Sequence, residues 1–327
     1  MTAWYSITPA GPVAIGNLTP VGQNSGQVGC RWPPNGHHLA GCLGLPQRAQ
    51  LWGPFWYNGT TLYVPVPQTV YALPDPNPTQ SGGPPPPPQD IFRLQWREGY
   101  WQPLPQHQGQ DIELLGDRYL MPINSLRDFW PRYQSTTAQL VHLPWQTLTL
   151  SHNRRKDFQV VEEGGFFAEM TTLMNPGWSL AVRLMGDFTP PRWSTLGAGG
   201  TPVVINPLRE SWDWLGDPCP NATGAVLLTG ALWSDAPAKL SRPHPEGIRA
   251  YAATTGEPWQ TWKRVPDRKD RSRKVSVLTP GEWLTPAGAV YLWPSAAPVA
   301  QSGPMPDPFQ RHVLGYGHLW LFEETTP

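Results

Sequence analysis

Residues 31–45 read RWPPNGHHLAGCLGL, and the rest of the chain is organised around them. Pro33 and Pro34 hold the backbone extended and cannot sit inside a helix. Asn35 is a good N-cap. Leu39, Cys42 and Leu43 follow at i, i+3 and i+4, one apolar face of a short helix, while Ala40 and Gly41 let that helix approach another backbone closely. The pattern predicts a turn opening a helix, with His37 and His38 on its first turn and free N–H groups at its start. Such an end suits an anion, a phosphate above all. An ordinary capped surface helix accounts for the same residues.

Composition sets the outer limits. The 327 residues suffice for one large domain or two smaller ones, each with a core. Lys plus Arg and Asp plus Glu each number 24, so any basic surface must be local. The 42 prolines and 32 glycines make up roughly 23% of the chain, just under the ~25–30% that marks a disordered one. With 18 tryptophans and 10 tyrosines, the expectation is a folded, loop-rich, aromatic-heavy protein. Cys30, Cys42 and Cys219 are odd in number and lack CxxC spacing, which argues against a disulfide framework and a zinc site. The first residues, MTAWYSITP, show no basic region, and no apolar run approaches the ~18 residues of a membrane span. A cytoplasmic protein that touches no membrane is expected.

Strand-like runs occupy Trp4–Thr8, Leu62–Val66, Gln68–Leu73, Ile91–Trp96 and Leu143–Leu150. Part of Asp111–Trp130 reads as helix. Pro74–Pro88 holds eight prolines in fifteen residues, a polyproline surface insertion. His152–Asp157 interrupts strand character, which resumes at Phe158–Val161. Phe166–Leu173 and Trp178–Leu184 read as a β-hairpin, with Asn175-Pro176-Gly177 as its turn. Pro202–Ile205, Ala225–Trp233, Val275–Leu278 and Ala289–Trp293 are further strand-length apolar runs, and a last strand follows the glycine turn at Gly315. No fixed-period repeat is present.

Three places could carry chemistry. Adjacent His37 and His38 diverge by about 100° on a helix, so they are no two-ligand metal site, though one could act as a general base or donate to a phosphate. Lys263–Lys274 holds seven basic and two acidic residues: Lys263, Arg264, Arg268, Lys269, Arg271, Arg273 and Lys274 against Asp267 and Asp270. Trp259 and Trp262 flank it, and cations beside rings suit single-stranded RNA; a solvated loop is the plainer reading. Arg154, Arg155 and Lys156 are a smaller version. Gly315-Tyr316-Gly317 before His318 could cradle a phosphate or be a tight turn. Walker, GxSxG and HExxH motifs and Cys/His clusters are absent, so no catalytic set, metal or cofactor is expected.

Taken together, these pieces resemble the RAMP proteins of CRISPR systems, in particular the Cmr-three subunit (Cas-five group) of type III-B effector complexes. The strand Trp4–Thr8 and then PPNGHHLAG at 33–41 are similar to that family's PPxxTIAG helix start. Arg154–Phe167, ending EGGFF, resembles its Arg-rich hairpin; Trp262–Tyr291, with PAGAVY at 286–291, resembles its basic stretch and PAGSVY; Leu314–His318 resembles its glycine-rich loop. The family's mid-chain LGGExR element has no charged counterpart in LGAGGT at 196–201.

The resemblance implies an α+β fold of two ferredoxin-like halves, 1–190 with the proline insertion and 191–327 with the basic and glycine-rich loops. It implies a non-catalytic subunit holding the 5′ handle of a crRNA, touching a Cas-ten-type large subunit and the first backbone RAMP subunit, and meeting target RNA indirectly. The RNA-binding candidates are Asn35, Gly36, His37, His38, Arg154, Arg155, Lys156, Trp262, Lys263, Arg264, Arg268, Lys269, Arg271, Arg273, Lys274, Gly315, Tyr316, Gly317 and His318. The alternatives are a metal-independent RAMP endoribonuclease with His37 or His38 as base, the equivalent type III-D subunit, and a scaffold touching only protein.

Overall fold

The computed structural model describes residues 2–16, 27–75, 84–130, 136–137, 139–157, 160–234, 242–267 and 273–324. It is mostly β-sheet, with two short α-helices among the described residues, Gly36–Leu43 and Ile123–Phe129. The larger sheet has eight strands. Their order is Val141–His142, Tyr119–Pro122, Leu62–Pro65, Gln50–Tyr57, Ser179–Met185, Thr2–Pro9, Thr201–Pro207 and Trp193–Leu196, every neighbour antiparallel. A five-stranded sheet runs Ala250–Ala252, Val290–Leu292, Gly224–Leu227, His318–Phe322 and Gly303–Pro304, again all antiparallel.

The two sheets share a pattern. Numbering the four principal strands of the first in chain order (Thr2–Pro9, Gln50–Tyr57, Ser179–Met185, Thr201–Pro207) gives the spatial order 2-3-1-4. The same numbering in the second (Gly224–Leu227, Ala250–Ala252, Val290–Leu292, His318–Phe322) gives 2-3-1-4 again. Strand Thr201–Pro207 lies against Thr2–Pro9, so the first sheet extends past residue 190.

One core joins the sheets. Alternate residues of a strand face opposite sides. Val226, Val290, Leu292, Trp320 and Phe322 therefore turn toward Trp4, Trp52 and Phe55 of the larger sheet, while Ala225, Leu227, Tyr291, Leu319 and Leu321 form a separate cluster behind. Helix Ile123–Phe129 contributes Ile123, Leu126 and Phe129 to the shared core, and Trp130 meets Trp320 edge-on at 6.2 Å. On the other face of the larger sheet, Leu39, Cys42 and Leu43 of the first helix pack among Tyr5, Ile7 and Leu51. That helix ends as its sequence requires: Gly44 takes φ 65°, and the Gly44 and Leu45 amides close onto Gly41 and Ala40.

The connectivity departs from expectation in two places. The strand before Asn175-Pro176-Gly177 does not pair with the strand after it. Val160–Met174 pairs along its length with Trp145–Asp157, and Ser179–Met185 enters the other sheet between Thr2–Pro9 and Gln50–Tyr57. Leu180, Ala181 and Val182 are all fully buried, so this segment needs apolar partners on both faces, and a two-stranded hairpin cannot supply them. The turn itself is present, Trp178 N–H donating to the Asn175 carbonyl at 3.2 Å. His152–Asp157 does not interrupt a strand either; it belongs to Trp145–Asp157, with register shifts near Arg155. Of the proline insertion, Pro84–Pro86 are exposed, and His142 Nε2 donates to the Pro85 carbonyl at 3.0 Å; residues 76–83 lie outside the described residues.

Candidate functional site

A cleft of about 500 Å³ opens between the two sheets. Its walls come from distant parts of the chain: Arg31–Gly36 before and at the first helix, Gly53-Pro54, Thr254–Glu257, Pro286-Ala287 and Gly315-Tyr316. Three of the segments that carry the sequence resemblance thus meet here.

The glycines explain the convergence. A Cβ on Gly36 would run into the Leu314 carbonyl oxygen, and one on Gly315 would lie 2.7 Å from the Gly53 carbonyl oxygen. The loop before the last strand can wedge between helix start and sheet only because neither position carries a side chain. Gly315 and Gly317 also take φ 81° and 69°, where side chains are rarely accommodated. Thr229 Oγ1 donates to the Gly315 carbonyl at 2.6 Å and accepts from His318 N–H at 3.0 Å. Arg311, one turn upstream, is buried, paired with Glu282 at 2.7 Å and Asp307 at 3.1 Å, and donates to the Leu232 and Ser234 carbonyls. Its anchoring role had no local signal in the sequence.

The two expected phosphate cradles are already occupied. Asn35 Oδ1 accepts from His37 N–H at 3.1 Å and His38 N–H at 3.3 Å, so the cap itself takes amides at the helix start. In the glycine loop, Gly315, Tyr316 and Gly317 N–H donate to His312, Arg311 and Gly230 carbonyls. That is the tight-turn reading.

The histidines are uncharged near neutral pH. Burial, then the charge of Arg311, pulls the His37 pKa down to about 4; burial, then Arg31 and His37, does the same for His38, also to about 4. His37 Nδ1 is hydrogen-bonded to the Tyr316 hydroxyl at 2.9 Å, and its ring lies 5.6 Å from Trp259. Burial also raises the Tyr316 hydroxyl pKa, so that group stays neutral. Trp259, read as a stacking platform for RNA, is 2% exposed and packs with Leu232, Leu284 and Tyr316. His318 is fully buried between Trp52 and Phe55, its Nε2 donating to the Leu215 carbonyl at 3.1 Å, so it is a core residue rather than a loop contact.

The basic stretch is not a simple loop. Trp262–Pro266 and Lys274–Leu278 pair as an antiparallel hairpin, with Pro266 opposite Lys274. Arg273 and Lys274 are exposed. Arg268, Lys269 and Arg271 lie outside the described residues, as do the side chains of Trp262, Lys263 and Arg264 and those of Arg154, Arg155 and Lys156. Of the described basic residues in this stretch, Arg273 and Lys274 do not line the cleft. Among the described residues no three His, Cys, Asp or Glu side chains are grouped to hold a metal, and no helix is long and apolar enough to cross a membrane.

Residues that the sequence reading missed define the cleft's chemistry. Arg31 is 6% exposed, donates to the Pro258 carbonyl and sits in the field of Glu257. Glu257 is half-buried, and burial raises its carboxyl pKa against the opposing pull of Arg31. Asp117, at the rim, accepts from Gln68 Nε2 at 2.9 Å. On the far wall Trp145 lies nearly flat on Trp56, centroids 5.5 Å apart, and tilts against Trp32 at 6.4 Å.

No family model and no curated protein matches the chain. Solved structures do. A chain of type III-B Cmr-beta bound to cognate target RNA is similar at 10% identity over 88% of this chain and 86% of that one, with TM-score 0.46. In type III-B Cmr-beta bound to cognate target RNA and AMPPnP, state 1, the match is 9% identical over 88% and 86%, with TM-score 0.44. A chain from a Csm1–Csm4 cassette in complex with pppApA is 10% identical over 89% and 86%, with TM-score 0.31.

Proposed function

We propose that this chain is a RAMP subunit of a type III CRISPR effector complex, and that it holds the 5′ handle of a guide RNA without cutting it. The observation that carries the reading is the convergence of residues 33–36, 286–287 and 315–316, distant in sequence and each part of a family-like motif, on the walls of one cleft. The repeated 2-3-1-4 strand order supports two ferredoxin-like halves, the second without α-helices among its described residues. On that reading the division falls between Pro207 and Gly224 rather than near 190. The Cmr-three-like place in the complex, beside a Cas-ten-type large subunit and the first backbone RAMP subunit, follows from the resemblance.

The state of the histidines supports the non-catalytic reading. An imidazole with a pKa near 4 is a poor proton acceptor at neutral pH, and His37 is already engaged by Tyr316. The purified chain, alone and reconstituted with the large and backbone subunits, is to be incubated with repeat-derived RNA in EDTA. Binding without cleavage is the expected result. Site-specific cleavage would favour the endoribonuclease alternative, and absence of any RNA crosslink to this chain in the assembled complex would leave a protein-only scaffold.

A further inference from the structure

The cleft holds charges of the wrong sign for an RNA backbone. Among the described residues that line it, Arg31 is the one cation, while Asp117 and Glu257 are both acids. The His37 and His38 amides at the helix start and the amides of the glycine loop are already bonded, so a phosphate entering here would face the two carboxylates without those backbone donors. The uncharged part of a nucleotide fits far better. Trp32 and Trp145 are half-buried and leave ring surface toward the cleft, with Trp145 backed by Trp56. The two rings are inclined at 54°, so a base can stack on one and abut the other, as bases do on aromatic side chains. The volume, about 500 Å³, is that of a small-molecule site.

Glu257 decides which base. It opens the strand Glu257–Trp259, which is held by pairing with Glu282–Leu284, by Arg31 on the Pro258 carbonyl and by Trp259 packed against His37. Its own carboxylate has no hydrogen-bond partner among the described residues, and its neighbour on the acidic side, Asp117, is engaged by Gln68. An ionised carboxylate is an acceptor only, with two oxygens side by side. On the Watson–Crick edges of RNA bases, adjacent N–H donors occur only in guanine, at N1 and N2; adenine, cytosine and uracil each set an acceptor beside their donor.

We infer that the cleft is a nucleobase pocket that takes one everted guanine, stacked on the Trp32–Trp145 wall and paired through N1–H and N2–H to Glu257, with the RNA backbone left outside. This rests on the RNA-binding reading above and sharpens it: the base turns inward and the phosphates stay outside the cleft.

The test is fluorescence anisotropy of the full chain with three labelled single-stranded octamers: oligoadenylate, the same with one central guanosine, and the same with inosine there. The guanosine octamer should bind about tenfold more tightly than oligoadenylate, with inosine, which lacks the N2 amine, in between. Glu257→Gln, close to isosteric, should bring the guanosine octamer to the oligoadenylate level and leave oligoadenylate unchanged, with a retained cooperative melt, lowered only by the loss of the charge beside Arg31, showing that the fold is intact. Equal binding of the guanosine and adenosine octamers by the wild-type chain, or a guanosine preference that survives Glu257→Gln, overturns the inference while leaving the RNA reading standing. Failure of every octamer to bind overturns both.

Discussion

Gly36 and Leu314 are 278 positions apart in sequence and in direct backbone contact, so close that a single Cβ on Gly36 would collide with the Leu314 carbonyl oxygen. This contact seats the glycine loop on the helix start and closes one end of the cleft. Gly36→Ala must push one of two backbones, and a core that cannot relax typically loses about 1–3 kcal/mol on such overpacking. Gly41→Ala is the comparison: nothing lies within 4 Å of a Cβ there, and alanine in a helix interior gains roughly 0.5–1 kcal/mol over glycine. Thermal melts should show opposite signs for the two variants; equal shifts would mean that the contact is soft.

The ion pair Arg93–Glu324 ties the segment just after the last strand, His318–Phe322, to the end of strand Asp90–Arg93. It measures 2.8 Å, with both side chains under 10% exposed, and the guanidinium lies 5.1 Å from the Trp130 ring centroid. Removing one partner breaks a buried ion pair, and such losses typically run to about 3–5 kcal/mol. Glu324→Ala should therefore lower the urea midpoint sharply. Joint replacement, Arg93→Met with Glu324→Leu, should recover much of the loss.

Acid should destabilise this protein through its histidines. His37, His38 and His318 each titrate near 4 in the folded state against about 6.5 unfolded. Between those values the unfolded chain binds more protons, so stability is complete above about pH 6.5 and is lost as pH falls toward 4. Glu257 acts in the opposite sense, since its raised carboxyl pKa lets the folded state take up that proton first. Urea titrations from pH 7 to 4 should show falling stability, and His318→Phe should flatten the slope. A profile independent of pH would mean that these rings are solvated.

Repeat RNA should remain intact in EDTA with the wild-type chain, because His37 and His38, the two candidate bases, both have their pKa lowered to about 4. The decisive observation against this is site-specific cutting that His38→Ala abolishes.

The RNA backbone should feel the basic stretch. Replacing Arg268, Lys269, Arg271 and Arg273 by Gln removes four charges; at ~0.7 counterions per single-strand contact, the log–log salt slope should shrink by about 3 if all four touch phosphates. Trp259→Ala should leave that slope alone and cost stability instead, because its ring is packed among Leu232, Leu284 and Tyr316. Binding titrations at several salt concentrations, with melts of each variant, separate these outcomes.

What the sequence determined by itself was local. Asn35 caps the first helix, Leu39, Cys42 and Leu43 form its buried face, and Gly315 makes the turn before a last strand, because each depends on backbone preferences and spacings within a few residues. The order of the motifs along the chain also marked three of the segments that meet in the cleft. Partner choice was decided only by the tertiary structure. Ser179–Met185 reads as half of a hairpin until burial on both faces places it between Thr2–Pro9 and Gln50–Tyr57. Trp259 and His318 have the composition of an RNA-stacking ring and a loop ligand, yet both are core, since an aromatic ring gains as much from a protein interior as from a base. Glu257 drew no notice in the sequence, where it is one acid among 24. Its standing depends on partial burial, a carboxylate without a hydrogen bond among the described residues and aromatic rings contributed by residues more than a hundred positions away, and those are properties of the folded chain alone.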